Sequence, residues 1–525
     1  MAVTILDIIG PIMVGPSSSH TAGAARLAKL ARHMAGGQVV AATIDLFGSF
    51  ATVGPGRGTL LALTGGLLDF DADDERIRDA ERLAQAAGLA VRFRFSDQPA
   101  SHPNTVRLEL TTPGGGQIEV TGISVGGGVV RITNLDGFEV SLRGELPTVL
   151  CEYPDRPGMV AEVAGAIAAQ GLNIATMHVV RQEESRQALM SLELDEAPAA
   201  ALLQCLEVLP GIKRLIYLPG LTTRPSQRPG AIGLHALAEV LSRASDEDIP
   251  ISALILRSQA ELLGISREDL CDRLRKALQV MKQAVELGLE NPAPSASGLT
   301  GGDAARLAPL VEAGEEDWLM AVARRALAVA ETNARMGRIV AAPTAGSCGV
   351  LPGCLLGTAA RFNLSDETLL GPLITAGGIG LVIAGRATLS GAAGGCQAEC
   401  GAAGAMAAGA LVELLGGTAH QVGHAAALAL KNSLGLTCDP VAGLVEVPCV
   451  RRNAFAALQA TLAARLALAG VESAVPFDEV VDAMGEVGRA MPACYRETSQ
   501  GGLATTPTGR ATAERIRGDP GTSTR

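Results

Sequence analysis

Two thiols stand eleven positions apart in GLTCDPVAGLVEVPC, residues 435–449: Cys438 and Cys449. Asp439, Pro440, Gly443 and an apolar run separate them. Six more cysteines, Cys271, Cys348, Cys354, Cys396, Cys400 and Cys494, lie in the same half of the chain, and none of the eight forms a Cys-x-x-Cys pair. Zinc-finger and ferredoxin spacings are therefore absent. A thiolate is a nucleophile and a soft metal ligand, whereas a buried thiol is a small apolar side chain. In AAGGCQAECG, Cys396 and Cys400 share one helical face, which suits plain burial. Cys396 and Cys438 each sit at a Gly-rich or turn-like junction where a thiolate would meet backbone N–H donors. Spacing alone leaves burial and ligation both open.

Five Gly-flanked stretches carry hydroxyls, an amide or an imidazole: GPSSSHTAG (15–23), LFGSFATVGPGRGT (46–59), SHPNT (101–105), SGLTGGDAARL (297–307) and PTAGSCG (343–349). Such loops bind small anions through backbone N–H groups and short side chains. Ordinary turn and capping chemistry is the plain alternative for each of them. Of seven histidines, His20 and His102 fall in these loops and are candidate bases.

The elements that must position these groups fall into three segments. Residues 1–145 mix strand-like runs at 39–49, 89–97, 105–112 and 117–137 with helical patterns at 21–35 and 73–88, an α/β or α+β domain. Residues 146–218 read in the order βαββαβ, the ferredoxin-like arrangement, with DRPG as the first strand–helix turn. PGLTTRPSQRPG, residues 219–230, is a linker. From 231 to 510 nearly every segment reads as helix or Gly-rich loop, and 511–525 as a flexible tail.

Bulk properties exclude several functions. The 525 residues exceed one hydrophobic core. With 48% hydrophobic and 2% aromatic residues and 63 glycines, the core is built of closely packed Ala, Val, Leu and Ile. A net charge of -11 without a basic cluster argues against nucleic acid as a partner. The run 369–385 is apolar but Gly-rich and barely long enough to span a bilayer, so a buried helix is expected and no membrane partner. The N-terminus does not read as a signal peptide, so a cytoplasmic location with reduced thiols is expected. The five lysines, at 29, 213, 276, 282 and 431, lie in no loop suited to a Schiff base, which disfavours pyridoxal phosphate.

The motifs GPSSSHTAG, LFGSF, SHPNT, SGLTGGDA, PTAGSCGVLPG, GCQAECG, GLTCDPVAGLVEVPCVRRNA and YRETSQGGLATTP, running in this order from about residue 5 to 508, resemble iron–sulfur-dependent L-serine dehydratase, a lyase also called L-serine ammonia-lyase. DRPG and GLNI within 146–218 resemble an ACT domain. The combination is similar to the ACT-containing bacterial type, with β part (1–220) and α part (231–510) fused. The resemblance implies a [4Fe–4S] cluster held by Cys396, Cys438 and Cys449, whose open iron acts as a Lewis acid on the hydroxyl of L-serine. It implies that loops carrying Ser17, Ser18, Ser19, Thr21, Ser49, Asn104, Thr105, Thr344 and Ser347 hold the substrate carboxylate and amino group. In the ACT unit it points to Asp155, Gly158 and Asn173 as effector contacts, with structural dimerisation as the plain alternative, and to a homodimer.

One position departs from the family. Where its pattern after the FGS motif reads like GKGHGTD, this chain has GPGRGTL, with Arg57 at the histidine and Leu60 at the aspartate. A guanidinium stays protonated and cannot act as a base. Either His20 or His102 serves instead, or Arg57 binds a carboxylate in a diverged protein. The alternatives are a related elimination, L-cysteine desulfidation or L-threonine dehydration, and an amino-acid sensor with a degenerate catalytic half.

Overall fold

The computed structural model describes residues 3–182, 185–220, 234–312 and 317–518. Two compact units emerge. The first holds the described residues of Ser19–Pro55 and Thr59–Ser226; the second holds those of Met1–Ser18, Gly56–Gly58 and Gln227–Arg525. Most of the expected linker, from residue 221, lies outside the described residues.

The first unit carries two sheets. One has six strands in the order Ala90–Ser96, Ala41–Phe47, Thr105–Thr111, Gln117–Gly126, Val129–Leu135, Phe138–Leu142. Only the first two strands are parallel. Alternation drives the burial: Val106, Leu108 and Leu110 point inward, and Gly122 receives Leu27 of the Gly23–Met34 helix. That helix crosses Thr59–Leu67 closely, because a Cβ on Gly66 would lie 2.2 Å from the Ala25 carbonyl. The sequence run 117–137 is two strands, broken at Gly127–Gly128, which both have positive φ.

The second sheet is antiparallel, in the order Arg214–Leu218, Thr148–Pro154, Gln187–Leu194, Ile174–Gln182. The helices Met159–Ala168 and Ala200–Glu207 supply Met159, Val163, Ile167, Leu202 and Leu206 to a core shared with Val149, Cys151, Tyr153, Met190 and Leu192. In chain order these elements are βαββαβ.

The other unit is mainly helical. Its centre is the Cys400–Leu414 helix, whose residues from Cys400 to Val412 are all buried, as expected of a helix apolar on every side. Around it pack Glu367–Arg386, Ala419–Lys431 and Cys449–Leu468. Glu367–Arg386 is long and apolar enough to cross a membrane, and 78% of its apolar window is buried within the fold. Its glycines are gaps for neighbours: a Cβ on Gly377 would meet Ile5 at 2.4 Å, and one on Gly380 would meet Ile8 at 2.3 Å. One strand, Arg338–Val340, pairs antiparallel with Ile12–Val14. At three residues each, both are too short to show alternation in sequence. The first residues of the expected tail continue a helix, Pro507–Gly518, and residues from 519 lie outside the described ones.

Candidate functional site

Three chain segments bring thiols together in the helical unit. Cys396 opens the turn Cys396–Ala398, and Cys400 begins the central helix. Cys438 is fixed from both sides: its N–H donates to the Tyr495 carbonyl, and its carbonyl accepts from the Glu497 N–H, both at 2.8 Å. Cys396, Cys400 and Cys438 pack in one buried cluster. Cys449 is half-buried at the first position of the Cys449–Leu468 helix.

The electrostatics tie all four thiols to one another. The Cys400 hydrogen bond is the largest influence on Cys396 and brings it down to about 7; burial opposes this and Arg452 assists it. Burial pushes Cys438 and Cys449 up, and the negative groups beside them push further. Cys400 rises because it donates to Cys396. Cys348 and Cys354 are raised to about 12 by burial and stay neutral thiols, Cys354 facing the Ala457 carbonyl at 3.4 Å. Their plain reading as core residues is consistent with this.

Charged side chains surround the thiols. The carboxyl of Glu399 accepts from Thr344 Oγ1 at 2.8 Å and lies 3.9 Å from Cys438 Sγ. Burial, then the charges of Glu497 and Cys396, push it up to about 8. Ser347 Oγ lies 3.2 Å from Thr344 Oγ1, so both predicted residues sit on one side of Glu399. Arg57 is 1% exposed; its Nε donates to the Gly443 carbonyl at 2.7 Å and its Nη1 pairs with Glu497. Nearby, Glu446 accepts from Ser297 Oγ at 2.7 Å and Thr300 Oγ1 at 2.9 Å, which ties the SGLTGGDA loop to the segment before Cys449.

Thiol donors of this kind suit a sulfur-ligated iron group. Among the described residues no three His, Cys, Asp or Glu side chains are placed to hold a single metal ion. A cluster binds each thiolate at a different iron, so its ligands need not converge on a point. Gly391 leaves room at the thiols: a Cβ there would stand 2.5 Å from Glu399 and 3.5 Å from Cys438 Sγ. Metal binding would release the protons that Cys438 and Cys449 hold.

The α/β unit gathers a second set. His20, in the π-helical segment Ser18–Ala22, places Nε2 2.9 Å from Ser49 Oγ and packs edge-on against Phe50. His102 Nδ1 accepts from the Asn104 N–H at 3.1 Å, and Thr105 Oγ1 donates to the His102 carbonyl at 2.6 Å. Burial, then the charge of Arg131, lowers His102. Ser124, which no sequence motif marked, joins the two groups: its Oγ donates to the Ser19 carbonyl, and its carbonyl accepts from Asn104 Nδ2. Thr21 is fully buried here. Ser17 and Ser18, both buried, belong to the helical unit.

The predicted effector residues flank the two strand–helix junctions of the second sheet. Asp155 Oδ2 lies 3.3 Å from Arg181 Nε, Gly158 caps the Met159–Ala168 helix at φ 98°, and Asn173 donates to Asp195 at 2.7 Å.

Comparison with known proteins then gives a consistent result. The family described as "Serine dehydratase alpha chain" matches residues 169–504, and "Serine dehydratase beta chain" matches residues 4–134. The chain is 32% identical to the L-serine dehydratase of Mycobacterium bovis, over 96% of this chain and 98% of that one. In Bacillus subtilis the two parts have separate relatives: a probable L-serine dehydratase alpha chain, 47% identical over 53% of this chain and 94% of its own length, and a probable beta chain, 43% identical over 40% and 94%.

Proposed function

This chain belongs to the serine dehydratase family, and from that premise we propose that it is a cytoplasmic L-serine dehydratase that carries a [4Fe–4S] cluster on Cys396, Cys438 and Cys449. The observation that carries the cluster reading is the buried grouping of Cys396 and Cys438 near Arg452 and Glu399, with the half-buried Cys449 on the segment that carries Arg452. When bound, such a cluster offers an open iron as Lewis acid for the departing hydroxyl of the substrate.

The chain's own groups supply the rest. Loss of the Cα proton and of hydroxide converts L-serine to aminoacrylate and water; tautomerisation and hydrolysis then give pyruvate and ammonia. The base reading favours His20. Its Nε2 faces a serine hydroxyl, whereas Nδ1 of His102 already accepts from a backbone N–H, which leaves the proton of a neutral His102 on Nε2. Ser19, Ser49, Asn104 and Thr105 offer hydroxyl and amide groups for a carboxylate, as do Thr344 and Ser347 in the helical unit. Arg57 is better read as a structural cation than a substrate clamp, since Glu497 and Gly443 already engage it.

The sheet formed by 146–218 is read as an ACT unit, with an amino acid bound near Asp155, Gly158 and Asn173 and a homodimer as the assembly. The test of the main reading is anaerobic reconstitution with iron and sulfide, followed by product formation from L-serine, L-threonine and L-cysteine. Pyruvate from serine at the highest kcat/KM is expected. Sulfide release from cysteine as the dominant reaction would replace this reading by desulfidation, and a loaded but inert protein would replace it by a sensor.

A further inference from the structure

One cationic side chain reaches all three cysteine-bearing segments. Arg452 lies on the first turn of the Cys449–Leu468 helix, three residues after Cys449 and on the same face. Its Nη1 donates to the Thr437 carbonyl at 2.7 Å and its Nη2 to Asp439 Oδ1 at 3.0 Å, so it grips the chain on both sides of Cys438. Its positive charge also acts on Cys396 and Cys449. Asp439 is itself held, its second oxygen accepting from the Leu503 N–H at 2.8 Å. The arrangement uses the planar fork of a guanidinium, which a lysine cannot reproduce.

We propose that Arg452 is a positioning residue for the iron–sulfur group: it fixes Cys396 and Cys438 relative to Cys449 and offsets the charge of the thiolates. This inference rests on the three-cysteine reading above. Three thiolates gathered in one place repel one another, and a fixed cation beside them relieves that repulsion. Hydrogen bonds and net charge at the sulfurs also set a cluster's reduction potential. Removing the cation while keeping the fold should therefore loosen the iron and lower the potential.

The test uses the full chain, reconstituted anaerobically, in four forms: wild type, Arg452→Gln, Arg452→Lys and Cys438→Ala. The readouts are iron and sulfide content, the rate of iron loss to a chelator, and the midpoint potential followed by electron paramagnetic resonance. Arg452→Gln is expected to lose iron about tenfold faster than wild type and to titrate at a lower potential. Arg452→Lys is expected to recover the potential, because the charge remains, but not the retention of iron, because the fork is lost. If Arg452→Gln holds no iron while its metal-free form melts like wild type, the proposal also stands. Wild-type iron loss and potential in both arginine variants would overturn it. A Cys438→Ala protein with full iron content and an unchanged spectrum would instead overturn the three-cysteine reading, whatever the arginine variants do.

Discussion

Glu497 holds Arg57 through its side chain and Cys438 through its backbone N–H, so the residue at the family's histidine position and a candidate iron ligand share one anchor. Glu497 adopts a left-handed backbone with φ 66°, unusual for a non-glycine residue. The guanidinium is 1% exposed and the carboxylate 25%. Removing one partner strands the other in a poorly solvated place. Arg57→Met should cost about 2 kcal/mol of stability, below the range for fully buried pairs because Glu497 keeps some water. Arg57→Met with Glu497→Gln should cost less than the two single changes summed, read by a double-mutant cycle in urea.

The thiols divide into two classes that iron analysis would separate. Cys396→Ala, Cys438→Ala or Cys449→Ala should each leave the reconstituted chain unable to retain its iron. Cys354→Ala should keep the iron and only shift the urea midpoint, since that thiol merely fills space against Ala457 and Thr461.

Base identity is testable in the loaded enzyme. His20→Ala should lower kcat for L-serine by about 10²–10⁴-fold, the usual worth of a general base. His102→Ala should change kcat far less. The reverse order would move the base to His102.

Two carboxyls give opposite pH responses. Burial alone would raise Asp45, but hydrogen bonds from Arg94 and Arg107 outweigh it and hold the carboxyl below its ordinary value. Its stabilisation is complete above the unfolded-state pKa and is lost as pH falls through the lower folded value. The two arginines are 48% and 40% exposed, so the effect is modest, about 1 kcal/mol. Asp45→Asn should therefore lower the melting temperature at pH 7 and converge with wild type in acid. Glu413 behaves inversely: burial raises it despite hydrogen bonds from Ser252 and Thr375. Its contribution is complete at low pH and is lost as pH rises through the folded value. Glu413→Gln should gain on wild type as pH rises above the ordinary carboxyl range.

The glycine gaps of the Glu367–Arg386 helix predict a size-for-size rescue. Gly377→Ala puts a methyl 2.4 Å from Ile5 and should cost about 1–3 kcal/mol. Combining it with Ile5→Ala, which opens space at the same contact, should give a smaller loss than the two changes summed.

Sequence pattern carried the long elements well. The strands of residues 148–218 and the helix at 159 stand where the βαββαβ order and the DRPG turn put them. The proposed cysteine trio rests on the long motifs that frame it, whereas spacing alone leaves it open. What surrounds the trio was not legible. Glu399, Arg452 and Glu497 meet the thiols through contacts 39 to 59 residues apart, and a local pattern cannot encode which charge folds back on which thiol. Cys400 reads as a plain core thiol, and it packs against Cys396 and Cys438 in one buried cluster. The strand pair Ile12–Val14 and Arg338–Val340 left no periodicity to read.

That strand pair also says what fusion of the two parts achieves. Residues before Ser19 complete the helical unit, giving it a β partner and filling its glycine gaps with Ile5 and Ile8. In one polypeptide this insert is tethered, and its arrival is an intramolecular event at an effective concentration set by the connecting chain. A nick within 219–230 would turn the same contact into an association between two pieces. Dilution would then strip the helical piece of its insert, and its melting temperature would become concentration-dependent.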